Sequence, residues 1–258
     1  LGECSEMSGE SASRTTLEIP DAQRDLLKAL VKTGKPVVLL LFTGRPLVLT
    51  EEAVNIPSIL NVWFGGSEAG DAIADVLFGK VNPSGKLTTS FPRSVGQLPL
   101  YYNSHNTSRP DPDKNVFNRY TSNYLEDSNE PLYPFGYGLS YTHFQYDNMV
   151  LSSNVLKKGE KLTVSVIVTN KGNYDGCEVV QLYLHDIYAD VVRPVKELKD
   201  FKRIFLKKGE SREVRFVITE EDLKFYNSNL QYIYETGDFE VMVGTNSRDV
   251  QSKTFFAE

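Results

Sequence analysis

Cysteine is nearly absent: among 258 residues only Cys4 and Cys177 occur, far apart in the chain. That scarcity excludes a disulfide framework and, with it, a structural zinc site built on cysteines. Histidine is as rare. His105, His143 and His185 each lack an i,i+4 or cysteine partner at ligand spacing, so they read as ordinary surface or core positions, and neither a metal nor a cofactor is expected. Long hydrophobic runs are missing too. The longest, residues 36–42, falls far short of the roughly 20 apolar residues that a membrane span needs, so no span is expected. Nor is there a field of one sign: Lys and Arg number 28 and Asp and Glu 34, a net charge of -6. No basic cluster interleaves with aromatics, which disfavours nucleic acid as a partner. No secretory leader pattern opens the chain; Leu1-Gly2-Glu3 reads instead as the end of a strand whose beginning lies upstream.

What is present suits folded protein. Apolar residues make up 40% and charged residues 24%, ordinary for a soluble domain with a real core, and the length favours two domains. The first half alternates helix and strand signals. Residues 21–32 place Leu26, Leu27, Leu30 and Val31 on one helical face, with Pro20 at the start and Gly34 just past the end. Residues 36–42 form a continuous apolar, partly β-branched run, as does 59–64, each with the pattern of a strand buried on both faces. Between them lie the turn Gly44-Arg45-Pro46 and a helical pattern at 51–54. Gly65-Gly66-Ser67 ends the second run, and a helix over 68–78 stops at Gly79. Strand and helix in this order predict a parallel sheet in an α/β sandwich.

From residue 83 to 138 the composition shifts to Pro, Gly, Asn, Asp, Tyr and Ser, with a short strand expected at 86–90. Tyrosines argue against a loose linker, because ordered aromatic rings bury large areas. Beyond residue 141 the pattern changes. Leu162, Val164, Val166 and Val168 alternate with Thr163, Ser165, Ile167 and Thr169, and 178–184, 213–218 and 239–243 are further β-rich runs. Turn signals at Lys158-Gly159, Gly172-Asn173, Lys208-Gly209 and Thr236-Gly237 separate them, which predicts an antiparallel β-sandwich. The expected division is an α/β domain over 1–140, its segment 92–140 a Tyr- and Pro-rich connection, followed by a sandwich over 141–258.

Several segments together carry a resemblance. Gly34-Lys35-Pro36-Val37-Val38-Leu39-Leu40 leads to Gly44-Arg45-Pro46. Gly66-Ser67-Glu68-Ala69-Gly70-Asp71 continues through Ala72-Ile73-Ala74-Asp75-Val76-Leu77-Phe78-Gly79, and Asn82-Pro83-Ser84-Gly85-Lys86-Leu87 runs on to Phe91-Pro92. With Pro131-Leu132-Tyr133-Pro134-Phe135-Gly136-Tyr137-Gly138-Leu139-Ser140-Tyr141, this resembles the C-terminal part of family 3 glycoside hydrolases of the bacterial periplasmic β-glucosidase type. The resemblance implies an α/β sandwich leading into a fibronectin type III-like domain. Without it, Gly65, Gly66 and Gly70 read as a tight strand-to-helix turn, since neither nucleotide-loop spacing is met. Glu68 reads as a structural acceptor near a helix start.

Retaining glycosidases use two carboxyl groups about 5–5.5 Å apart, one as nucleophile and one as acid/base. The resemblance implies an Asp nucleophile in a (β/α)8 barrel N-terminal to this chain, and an acid/base in a Gly-Glu pair before an Ile-Pro landmark. Gly2-Glu3 and Ile19-Pro20 fit, which makes Glu3 the expected acid/base, with Glu10 the alternative. From the residues alone, Glu3, Glu6, Glu10 and Glu18 read as a solvated acidic loop. Tyr101, Tyr102, Tyr120 and Tyr124 either flank the leaving group or pack against the sheet. The activity implied is release of terminal non-reducing β-D-glucosyl residues from a β-linked oligosaccharide or β-glucoside, with a β-xylosidase as the alternative sugar choice. The missing barrel is the implied intramolecular partner, a homodimer is compatible, and the implied address is periplasmic or secreted in a bacterium. The sequon Asn106-Thr107-Ser108 would matter only in a secreted eukaryotic protein. A different class, a non-catalytic carbohydrate-binding or structural module, remains open. Phe201, Phe205, Phe225, Tyr226, Tyr232 and Tyr234 do not alternate in a way that requires an exposed aromatic strip.

Overall fold

A computed structural model describes residues 1–107, 109–110 and 118–258; Ser108 of the sequon lies outside the described residues. The chain divides into two compact units. Leu1–Val81, Thr89–Leu100 and Tyr124–Tyr133 form the first, and Asn82–Thr88, Tyr101–Asn123 and Pro134–Glu258 form the second.

The first unit is α/β. Strands β1 (Val38–Leu41) and β2 (Ser58–Asn61) pair in parallel with Val38 opposite Ser58, and Gly2 makes a further parallel bridge to Phe42. Helices α1 (Asp21–Val31), α2 (Thr50–Asn55) and α3 (Ala69–Leu77) alternate with them. Helix α1 starts directly after Pro20, whose carbonyl accepts from Gln23 and Arg24 N–H at 2.9 and 3.1 Å, and the chain leaves it through Gly34 at φ +72. Of its expected apolar face only Leu27 is buried. Strand β1 also departs from expectation: Leu39 and Leu41 are buried but Val38 is half exposed, so among the described residues one face is covered better than the other. Strand β2 stops at Asn61, short of the expected 64, because Trp63 takes φ +51 and turns the chain. The Trp63 ring then packs 5.9 Å from Phe91, itself 6.2 Å from Tyr133.

No strand forms at 86–90. Residues 82–88 are instead held inside the second unit, where Leu87 N–H donates to Tyr137 O and Gly136 N–H to Leu87 O, both at 2.7 Å. The turn over 134–138 presses so close that a Cβ on Gly138 would stand 2.2 Å from Gly85 O. Lys86 Nζ, its side chain 10% exposed, lies 3.1 Å from Glu178 Oε1 and 2.9 Å from Thr245 Oγ1. In the first unit, buried Gln97 ties Arg93 to Ser128: Arg93 N–H donates to its Oε1 at 2.7 Å, and its Nε2 donates to Ser128 O at 2.7 Å. Tyr101, Tyr120 and Tyr124 are exposed, so these three rings are not held by burial.

The second unit is the expected β-sandwich. One sheet has the order β3 (Phe144–Leu151), β5 (Leu162–Asn170), β8 (Ser211–Ile218); the other runs β4 (Val155–Leu156), β12 (Val250–Ala257), β11 (Gly237–Gly244), β6 (Gly176–Asp186), β7 (Glu197–Leu206). A short helix α4 (Glu220–Leu223) leads into the hairpin β9 (Phe225–Tyr226) and β10 (Tyr232–Ile233). Leu162, Val164, Val166 and Val168 of β5 are at most 1% exposed, and they meet Leu182, Leu184, Phe216, Val241 and Phe255 in one core. The two-residue period of β5 is what selects its inward face. Strand β7 lies at a sheet edge and carries Lys199, Lys202 and Arg203, the charge that protects such edges from foreign pairing.

Candidate functional site

The site grows from the carboxyl ends of the parallel segments, where open α/β sheets characteristically receive ligands. Glu3 N–H donates to Phe42 O and Phe42 N–H to Leu1 O, both at 2.8 Å. Gln23 of α1 brackets Gly2 from the other side, accepting its N–H at 2.7 Å and donating to its carbonyl at 3.0 Å. Gly2 has φ +132, and a Cβ there would lie 1.8 Å from Phe42 O. Only glycine permits this approach, and it delivers Glu3 to the end of β1.

The Glu3 side chain is fully enclosed. Arg14 Nη1 donates to Oε1 at 2.9 Å, the Thr43 hydroxyl to Oε2 at 2.8 Å and Gly44 N–H to Oε2 at 3.2 Å. Arg45 Nε stands 3.0 Å from Oε1 as an ion pair, off the line of a hydrogen bond. Burial pushes the carboxyl upward, but Thr43, Arg14, Gly44 and Arg45 outweigh it and hold Glu3 below the usual carboxylate value. The same arginines pin the following loop. Arg45 Nη2 donates to Met7 O at 2.7 Å and Ala12 O at 2.8 Å, and Arg14 Nη2 to Glu18 O at 3.1 Å.

Glu10 is placed differently. It is exposed at the crest of this loop, between Gly9 and Ser11. Both neighbours line a recess of about 570 Å³ together with Ser8, Ala12, Ser13, Gly44, Arg45 and Phe64. The Phe64 ring, half exposed, contributes the apolar wall. The sequence pattern found the two acids but not their frame: Arg14, Thr43, Arg45 and Phe64 become neighbours only through the sheet. The Gly44-Arg45-Pro46 turn was the one visible signal.

Other residues singled out by sequence lie elsewhere. Cys4 is exposed and free, Cys177 is free and part-buried, and no metal-binding cluster of His, Cys, Asp or Glu occurs among the described residues. Burial lowers the His185 imidazole against the pull of Glu240, 3.9 Å away. Glu68 precedes α3 without capping it through its side chain. Tyr102 stacks on Phe135 at 4.1 Å within the second unit.

The paired Glu3 has a measurable consequence. A carboxyl whose folded pKa is depressed stabilises the fold above its unfolded value, here 4.5, and that contribution is lost as pH falls through the folded value. Thermal scans should therefore show wild-type stability falling more steeply below pH 4.5 than that of Glu3→Gln. At neutral pH the variant should be weaker by roughly 1–3 kcal/mol, because two arginines lose their anion. Parallel pH profiles for the two proteins would contradict this account of Glu3.

The profile of the Glycosyl hydrolase family 3 C-terminal domain matches residues 1–141, and that of the Fibronectin type III-like domain matches 178–247. The chain is 52% identical over 256 residues to a periplasmic beta-glucosidase of Salmonella typhimurium, covering 99% of this chain and 33% of that protein. It is 44% identical over 254 residues to a beta-xylosidase of Formosa agariphila, covering 98% of this chain and 34% of the relative. The crystal structure of a beta-glucosidase from Listeria innocua in complex with glucose superposes with a TM-score of 0.95 at 46% identity, covering 100% of this chain and 36% of that one. The chain thus spans about a third of the length of the curated relatives it matches.

Proposed function

Because the chain belongs to glycoside hydrolase family 3, we propose that it supplies the acid/base half of a retaining β-glycosidase active site. Its partner in that reading is an Asp nucleophile in a (β/α)8 barrel preceding it on the same polypeptide. The observation that carries the reading is the Glu10 loop: an exposed carboxyl beside a recess at the carboxyl end of the parallel sheet, on a loop anchored by two arginines. The general acid must begin protonated to donate to the leaving oxygen, and must then deprotonate water. Glu3, held anionic and enclosed by Arg14 and Arg45, suits neither step. We therefore assign the acid/base role to Glu10 and a positioning role to Glu3, which fixes the loop through the arginines.

The aryl or sugar leaving group would enter the recess, with Phe64 as its apolar wall. In the first step the nucleophile attacks the anomeric carbon while Glu10 protonates the departing oxygen. In the second, Glu10 takes a proton from water, which attacks the glycosyl-enzyme and restores the β-anomer. Higher identity to a β-glucosidase than to a β-xylosidase supports a terminal β-D-glucosyl residue as the unit removed. The name of the Salmonella relative supports a periplasmic location, and no helix among the described residues is long and apolar enough to cross a membrane. The family match to residues 1–141 likewise supports a domain boundary at 140/141.

The test compares this chain with the complete polypeptide on nitrophenyl β-glucoside and β-xyloside. The complete protein should hydrolyse the glucoside faster, with retention of configuration, and this chain alone should be inactive. Turnover by this chain alone would mean that both carboxyl groups lie within it, and inversion of configuration would remove the retaining mechanism.

A further inference from the structure

The hairpin β9–β10 presents what the sequence did not require. Tyr226 and Tyr232 are opposite each other in its register, with ring centroids 5.0 Å apart and planes tilted by 41°. Both are exposed, at 65% and 50%. The alternate positions point inward: Phe225 is 3% exposed and lies beneath the Arg193 guanidinium at 4.6 Å. Period-two alternation over only two residues per strand is too short to be read from the sequence, so the shared outward face of Tyr226 and Tyr232 is visible only in the fold.

The presentation is braced. Asn227, buried within the turn, accepts N–H donors from Asn229 and Gln231 at 3.0 and 2.9 Å. Ser228 N–H donates to Asp190 Oδ2, and Asp190 N–H in turn to Glu235 Oε2, both at 2.9 Å. An isolated two-stranded hairpin is marginal in water; these contacts hold this one in shape before any ligand arrives. At the edge of the platform Lys224 Nζ lies 5.9 Å from the Tyr232 ring centroid.

We propose that Tyr226 and Tyr232 form a sugar-stacking platform on the β-sandwich, which holds a β-linked glucan chain. The choice of ligand rests on the glycosidase reading above. Tyrosine faces are electron-rich and meet the C–H face of a pyranose, while their hydroxyls and the exposed Ser228, Asn229 and Gln231 can bond to sugar hydroxyls. The size of the patch points the same way. Two aromatic rings cover at most about 500 Å², below the roughly 800 Å² per partner of a stable protein interface, but enough for consecutive sugar rings.

The test is native affinity electrophoresis of the 258-residue chain through soluble mixed-linkage β-glucan, with dextran, an α-glucan, as the control polymer. Wild type should be retarded by the β-glucan alone. The double variant Tyr226→Ala/Tyr232→Ala, with an unchanged circular dichroism spectrum, should bind at least about tenfold more weakly, a loss of 1.4 kcal/mol. Tyr226→Phe keeps the ring and should stay retarded, as should Tyr174→Ala, an exposed tyrosine outside the hairpin. Should the double variant lose its fold, Gln231→Ala with Lys224→Ala tests the platform's polar edge and should weaken retardation. Absence of retardation, equal retardation of the double variant, or equal retardation by dextran overturns the proposal. So does concentration-dependent dimerisation that the double variant abolishes, since the occupant would then be a second copy. Hydrolysis by the complete polypeptide without retardation of this chain sinks the platform alone; retardation without hydrolysis sinks the glycosidase reading alone.

Discussion

Replacing Glu10 by alanine in the complete polypeptide is expected to slow hydrolysis of β-glucosides with poor leaving groups by about 10² to 10⁴, the usual worth of a general acid/base. Nitrophenyl glucosides should lose far less in the glycosylation step, because their leaving groups depart without protonation. Deglycosylation still needs a base, so azide, which attacks the glycosyl-enzyme unassisted, should restore turnover and yield the β-glycosyl azide. Glu3→Gln should behave otherwise. Its enclosed carboxylate holds Arg14 and Arg45, and through them the loop at Met7, Ala12 and Glu18, so its loss should affect both substrate classes alike and resist azide. Azide rescue in the Glu3 variant and not in the Glu10 variant would reverse the two roles.

These two acids show where reading the sequence ends. Both were visible as members of an acidic loop, and the family motifs pointed to that loop. Which one is buried depends on Arg14, 11 residues from Glu3, and on Thr43 and Gly44, 40 and 41 residues away. No local pattern carries such contacts. Strand β5 is the opposite case: its inward valines repeat every second residue, and that alone identifies the buried face. Strands β7 and β12 escaped the same test because they carry charged and polar residues on outward positions and lack a clean apolar alternation. The hairpin bearing Tyr226 and Tyr232 was too short to show a period. Residues 82–87 were legible as part of a family motif, but not for the physical reason they matter.

That reason lies in the second unit, and it leads to the largest expected change in stability. Lys86 Nζ contacts Glu178 Oε1 across 92 positions of sequence, and the Glu178 side chain is only 4% exposed. The hydroxyls of Tyr146 and Thr245 also donate to that oxygen, at 2.9 and 2.7 Å. Burial, and next the Glu178 carboxylate, raise the Tyr146 phenol well above its ordinary value, so it remains a donor throughout the accessible pH range. Lys86→Met removes the only cation among these contacts and leaves an enclosed carboxylate, which should cost about 3–5 kcal/mol. In urea the unfolding midpoint should fall with the slope of the transition unchanged, the mark of lost stability rather than altered compactness. Lys86→Met combined with Glu178→Leu should recover a large part of the loss, because replacing a whole buried ion pair by apolar groups is far less damaging than breaking it. A drop below about 1 kcal/mol for Lys86→Met, the level of an exposed pair, would show that Glu178 regains water when the lysine is gone. Residues 82–88 would then owe their place to the backbone bonds of Leu87 and Gly136 rather than to the charge.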